Sequence, residues 1–202
     1  MGVIVNPRGT SGSGKTELVR RVLREYGWQR GGRHCGASTI DAIYEAGRNR
    51  PIGYRLAHPR GGNPLIVLGH YEVTSGGCDT IRVADGGTQG IIRRAQEYAS
   101  SGYDVVMEGL RLSSEVERSA KLAQSHGLHI LRLSTPFDDC VRNLIARRRA
   151  RRDTWTSIER STAIEHRKVE DACEHLRAQA SVEVLCFDEA FARAMELLTV
   201  RN

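Results

Sequence analysis

The chain has 202 residues, 40% apolar and 27% charged, which suits one buried domain and excludes a disordered chain. No apolar run reaches the length of a membrane span. The opening MGVIVN lacks the basic segment, apolar core and cleavage site of a secretory leader, so a cytoplasmic protein is expected.

Net charge is +6, and of thirty basic residues only Lys15, Lys121 and Lys168 are lysine. Such a surface permits a polyanionic partner without requiring one. The cysteines (Cys35, Cys78, Cys140, Cys173 and Cys186) are odd in number and form no Cys-x-x-Cys pair. Free thiols in a reducing compartment fit better than disulfides or a zinc site. His34 beside Cys35, and His166 nine residues before His175, do not have the spacing of a usual metal pair.

In chain order, GVIVN reads as a buried strand running into the glycine loop PRGTSGSG. Leu18, Val19, Val22 and Leu23 then repeat at helical spacing from Lys15 to about Tyr26. STIDAIYEAG is expected as a short helix capped by Ser38 or Thr39 and stopped at Gly47. PIGYRLAH and NPLIVLGHYE read as two strands joined by a turn, and VTSGGCDTI as a loop. After these come a helix over TQGIIRRAQEYASSG, a buried strand YDVVMEG, a helix SSEVERSAKLAQSHG and a strand LHILRLS. Pro136 opens an Arg-rich helix, a second long helix covers roughly 156–180, VEVLCF is the last strand and DEAFARAMELL the last helix. Buried strands alternating with helices imply an α/β fold, a three-layer sandwich around a mostly parallel sheet, with a β-hairpin insertion.

The chemistry starts at Gly9. Gly9, Gly14, Lys15 and Thr16 complete G-x-x-x-x-G-K-[ST] between a strand and a helix. Glycines let successive amides of Gly9, Thr10, Ser11, Gly12, Ser13 and Gly14 turn toward phosphate, and the following helix points its positive end at the same anion. Lys15 would reach the outer phosphates and the Thr16 hydroxyl would ligate Mg2+. The alternative is a glycine-rich turn that happens to carry a lysine. These residues resemble the P-loop nucleotide-binding fold, closely over 3–23.

Within that resemblance, the chain lacks the Asn-Lys-x-Asp motif of GTPases. DVVMEGL brings Glu108 to a strand end, where it can hold metal-bound water or accept a proton. It can equally serve as a cap or ion-pair partner. STPFDDCVRNLIARRRARR resembles the lid of nucleoside and nucleotide kinases, spanning about 136–160. Arg142 and Arg148 are candidates to neutralise the leaving phosphate, and Arg147 and Arg151 to hold the triphosphate. A solvated basic face is the alternative for each. Asp188, after the last strand, is a weak pointer to the adenine end.

The acceptor segment, about 27–90, contains GHYEVTSGGCDTI. Asp79 after two glycines could be the general base, or could cap the turn before Ile81. Tyr71 or His70 could stack on a base. The loop, the cradle, the Glu-Gly strand end and the Arg-rich lid together resemble phage-encoded kinases that phosphorylate 5-hydroxymethyluracil within DNA. That resemblance covers most of the chain loosely. It implies one kinase domain over 1–202, ATP and Mg2+ as donor and metal, modified DNA as acceptor, and work in the host cytoplasm. A kinase of a free nucleoside, nucleotide or other small alcohol, and a non-catalytic nucleotide-binding switch, are the alternatives.

Overall fold

The computed structural model describes residues 1–31, 40–74, 76–109 and 114–199. The expectations on His34, Cys35, Ser38 and Thr39 lie outside the described residues.

Strand β1 (Ile4–Arg8) is buried throughout and runs two residues beyond GVIVN, through Pro7 to Arg8. A proline in a central strand needs a reason, because it has no N–H to donate. Ile4 donates to Gly127 on one side of the strand, so alternation turns the Pro7 nitrogen to the other side. On that side the ladder to the next strand has already ended at Val5. Pro7 keeps its acceptor there, taking the Gly109 N–H at 2.8 Å.

Helix α1 (Lys15–Glu25) follows the loop and buries Leu18, Val19, Val22 and Leu23. Residues Ile40–Ile43 then form strand β2, not the helix expected over STIDAIYEAG. Antiparallel pairing with β3 (Gly53–Leu56), together with burial of Ile40, outweighs the weak local helical preference. Strand β3 pairs antiparallel with β4 (Leu65–Leu68), so this hairpin extends the main sheet instead of standing off it.

Helix α2 (Gly87–Ser100), strand β5 (Asp104–Met107), helix α3 (Ser114–Ser125) and strand β6 (Leu128–Leu133) follow. Helix α4 (Phe137–Arg148) begins one residue after Pro136, and α5 (Trp155–Leu176), β7 (Ser181–Leu185) and α6 (Phe187–Thr199) complete the described chain.

The seven strands run in the order β2-β3-β4-β5-β1-β6-β7, and β4-β5-β1-β6-β7 are parallel neighbours. One face packs on α1 and α6 through Leu18, Val22, Ala194 and Leu198. The other packs on α2, α3 and α5 through Ile91, Ala95, Leu122 and Leu176. This is the expected three-layer α/β sandwich. In such sheets ligands bind beyond the carboxyl ends of the parallel strands, where the winding reverses. Here that place is the end of β1, between β5 and β6. Cys78, Cys140, Cys173 and Cys186 are free thiols. Among the described residues no helix is long and apolar enough to cross a membrane.

Candidate active site

The loop after β1 has left-handed backbone at Gly12 (φ 87) and Gly14 (φ 101), a conformation glycine adopts without strain. A side chain at Gly12 would also strike the Cys140 carbonyl of α4, 2.3 Å from an ideal Cβ. Two elements brace the rim. Asn143 of α4 donates to Gly12 O at 2.9 Å, and the Thr135 hydroxyl to Ser13 O at 2.8 Å. Lys15 folds over its own loop, with Nζ 2.6 Å from Gly9 O and 3.1 Å from Thr10 O.

Glu108 follows the end of β5 and is buried. One glycine makes room for it and another for its neighbour Arg8. Gly109 lies so close to Arg8 that a Cβ would sit 2.5 Å from Cγ, and Gly77 (φ 106) lies so close to Glu108 that a Cβ would sit 2.7 Å from Oε2. The Thr16 hydroxyl is 3.5 Å from Glu108 Oε2, while Oε1 has no hydrogen-bond partner among the described residues. Burial pushes the Glu108 carboxyl up to about 7, against the opposing pull of Lys15 and Thr16, and Asp79 adds to the rise. Asp79 stands on the single-turn 3-10 helix Cys78–Thr80, exposed at the same opening.

Arg8, Gly9, Lys15, Asp79, Glu108 and Lys168 share the walls of one cavity of about 740 Å³. Arg8 is itself buried. It pairs with Glu115 of α3, and its Nε donates to Asn6 Oδ1 at 2.7 Å while Asn6 Nδ2 donates to Met107 O at 2.7 Å. This relay ties the end of β1 to the end of β5, and so sets the loop against Glu108.

No protein-family model matches the chain. It is 33% identical over 201 residues to the 5-hmdU DNA kinase of Pseudomonas phage PaMx11, covering 96% of each chain. The chain belongs to the 5-hmdU DNA kinase family. Among solved structures it is similar to a gluconokinase from Sinorhizobium meliloti 1021, with a TM-score of 0.48 and 14% identity, over 98% of this chain and 93% of that one.

In this member of the family the site candidates divide into two groups. Lys15, Thr16, Asp79 and Glu108 meet around the loop. Arg142, Arg147, Arg148 and Arg151 are exposed and do not line the cavity. Arg142 pairs instead with Asp139 on its own helix at 2.7 Å. Asp188 pairs with Arg21 at 2.6 Å. Tyr71 and His70 are corrections: both are buried, so neither presents a face to a base. The Tyr71 hydroxyl donates to Leu68 O at 3.2 Å, and the His70 backbone closes a tight loop with Gly77.

What sequence reasoning missed lies on α5. Ser11 donates from its amide (3.0 Å) and its hydroxyl (2.9 Å) to Glu165, and Thr10 Oγ1 lies 2.9 Å from His166 Nδ1. Ser161, Glu165, Lys168, Ala172 and His175 line the cavity at helical spacing, a partly polar stripe visible in the sequence. Glu165 is an anion seated on phosphate-loop donors. A phosphate that recruits those donors must displace it. Glu165→Ala should therefore tighten ATP binding, by roughly tenfold or more for one or two charge-assisted hydrogen bonds. Titration calorimetry reads this; weaker ATP binding in the variant would make Glu165 a brace for the loop instead.

Proposed function

We propose that the protein is a kinase that transfers the γ-phosphate of ATP to the 5-hydroxymethyl group of 5-hydroxymethyluracil in DNA. The observation that carries this is a phosphate loop and two carboxylates meeting in one cavity, in a chain aligned nearly end to end with a 5-hmdU DNA kinase. That relative is phage-encoded, which supports work in the cytoplasm of an infected host.

The donor set fits a magnesium ion. Thr16 and Glu108 offer two oxygens 3.5 Å apart, and the buried Oε1 of Glu108 lacks a partner among the described residues. Among those residues no cluster of three His, Cys, Asp or Glu could hold a metal without help. A cation here would lean on Thr16, Glu108 and the nucleotide's own oxygens, as Mg2+ commonly does. When bound, it would neutralise charge developing on the outer phosphates.

The chain's own residues do the rest. The loop amides and Lys15 hold the β- and γ-phosphates. Asp79, exposed at the mouth of the cavity, takes the proton of the acceptor hydroxyl. The hydroxymethyl oxygen bonds to the γ-phosphorus, the bond to the β–γ bridging oxygen breaks, and ADP leaves with that electron pair.

The test is transfer of labelled γ-phosphate to DNA containing 5-hydroxymethyluracil, beside thymine DNA and the free nucleoside. Label should enter the modified DNA alone, because thymine has a methyl group where the nucleophilic oxygen must be. Efficient labelling of the nucleoside with none in the polymer would establish a small-molecule kinase. ATP binding without transfer to any acceptor would establish a switch module.

A further inference from the structure

The turn between α4 and α5 is not used by the mechanism above, and its features are unusual for a surface turn. Arg149 has φ 49 and ψ 45, left-handed backbone that no other non-glycine residue among those described adopts. Glycine would close the same helix end without strain. An arginine kept there argues for a use of its side chain.

Its neighbours agree. Arg148, Arg149, Arg151 and Arg152 are all exposed, and among the described residues none of them forms an ion pair. Several arginines elsewhere sit on carboxylates: Arg21 on Asp188, Arg94 on Glu45, Arg132 on Glu170, Arg193 on Glu183. Next to them in the chain stands Trp155, 42% exposed. Its indole N–H donates to Ala150 O at 3.2 Å, and Arg152 lies 6.0 Å from the ring. The ring is thus tethered by its N–H and open to solvent.

The turn lies beside the phosphate loop but outside the cavity. Asn143, five residues before Arg148 on α4, donates to Gly12 O, and five residues of helix span about 7.5 Å. On the other arm, ten residues of α5, about 15 Å, separate Trp155 from Glu165, which touches Ser11. Arg148, Arg149, Arg151 and Arg152 do not line the cavity that holds Lys15 and Glu108. The turn is thus placed to meet a backbone next to a base in the cavity.

We propose that this turn is the DNA-docking surface. Its arginines grip the backbone beside the target nucleotide, and Trp155 stacks on a base unpaired when the target leaves the helix. The inference rests on the DNA-kinase reading above and adds where the polymer is held.

The test uses the full chain with Arg149→Gly and Arg152→Gln combined. The glycine suits the backbone it enters, so the variant should melt no lower than the parent. Binding to duplex containing 5-hydroxymethyluracil is measured across a salt series, along with ATP affinity. The slope of log affinity on log salt should become shallower by about 1.8, at ~0.9 for each of two lost phosphate contacts, with ATP affinity unchanged. Trp155→Phe should keep that slope, and the indole fluorescence it removes should be quenched by DNA in a parent whose other tryptophan, Trp28, is buried. An unchanged slope in the double variant would overturn the docking surface while leaving the kinase reading intact, provided the parent phosphorylates the DNA. A parent with no transfer to DNA would overturn both. Weakened ATP binding with an unchanged slope would place the turn on the triphosphate, and that too would overturn the proposal.

Discussion

Lys15→Ala should leave the fold intact and lower phosphoryl transfer by roughly 10²- to 10³-fold or more, the scale of losing one preorganised charge stabiliser. The side chain bonds to Gly9 O and Thr10 O of its own loop, so its removal does not open the core. The core beneath, from Leu18 to Leu23, packs without it. Transfer suffers because no other lysine lies on the loop, and the next one on the cavity wall, Lys168, belongs to α5. Lys15→Arg should fail to rescue, since a planar fork does not replace a compact ammonium among close carbonyls. Lys15 also holds down the Glu108 carboxyl, so its loss should push that group further up. Single-turnover transfer and a thermal melt read both effects. A normal melt with near-normal transfer would remove Lys15 from the site.

The first strand, loop and helix were legible because their signal is local. Glycines at fixed offsets, one lysine and one hydroxyl act within eight residues. The strand ending at Glu108 was legible for the same reason, an apolar run with a carboxylate at its end. The helix expected over STIDAIYEAG fails at Ile40–Ile43 because pairing with β3, not local preference, decides an edge strand. Tyr71 looked like a binding aromatic in a glycine-rich loop, yet it packs beside Tyr54 in the core. The contact of Glu165 with Ser11 spans 154 residues, and no local pattern encodes it. Nor does composition say which way an arginine-rich helix turns. Burial of Cys140 and Leu144 turns Arg142 outward, whereas Arg147 and Arg148 follow the buried stripe at helical spacing and are exposed in the last turn of α4.

Glu108→Gln should stabilise the metal-free protein above neutral pH while abolishing its response to low magnesium. The sign follows from the raised carboxyl. In the unfolded chain the group ionises near 4.5, and in the fold at about 7. Between those values the folded protein holds a proton that the unfolded chain has released. Stability therefore falls as pH rises from about 4.5, and the loss is complete above about 7, where it amounts to roughly 3 kcal/mol. Glutamine carries no charge and escapes that penalty. In chelator, variant and parent should melt together near pH 4.5 and diverge by pH 8, with the variant higher. In the transfer assay the variant should need far more Mg2+, because one of two protein oxygens near the cation is now a neutral amide. Asp79→Asn should behave differently. Asp79 is exposed, and its charge helps to raise Glu108, so the variant's pH window should narrow toward lower pH. Its chemical step should drop by roughly 10²- to 10⁴-fold, as for loss of a general base, with ATP binding retained. Equal and mild losses in both variants, with no divergence of the melts at high pH, would show that neither carboxylate has the role given to it here.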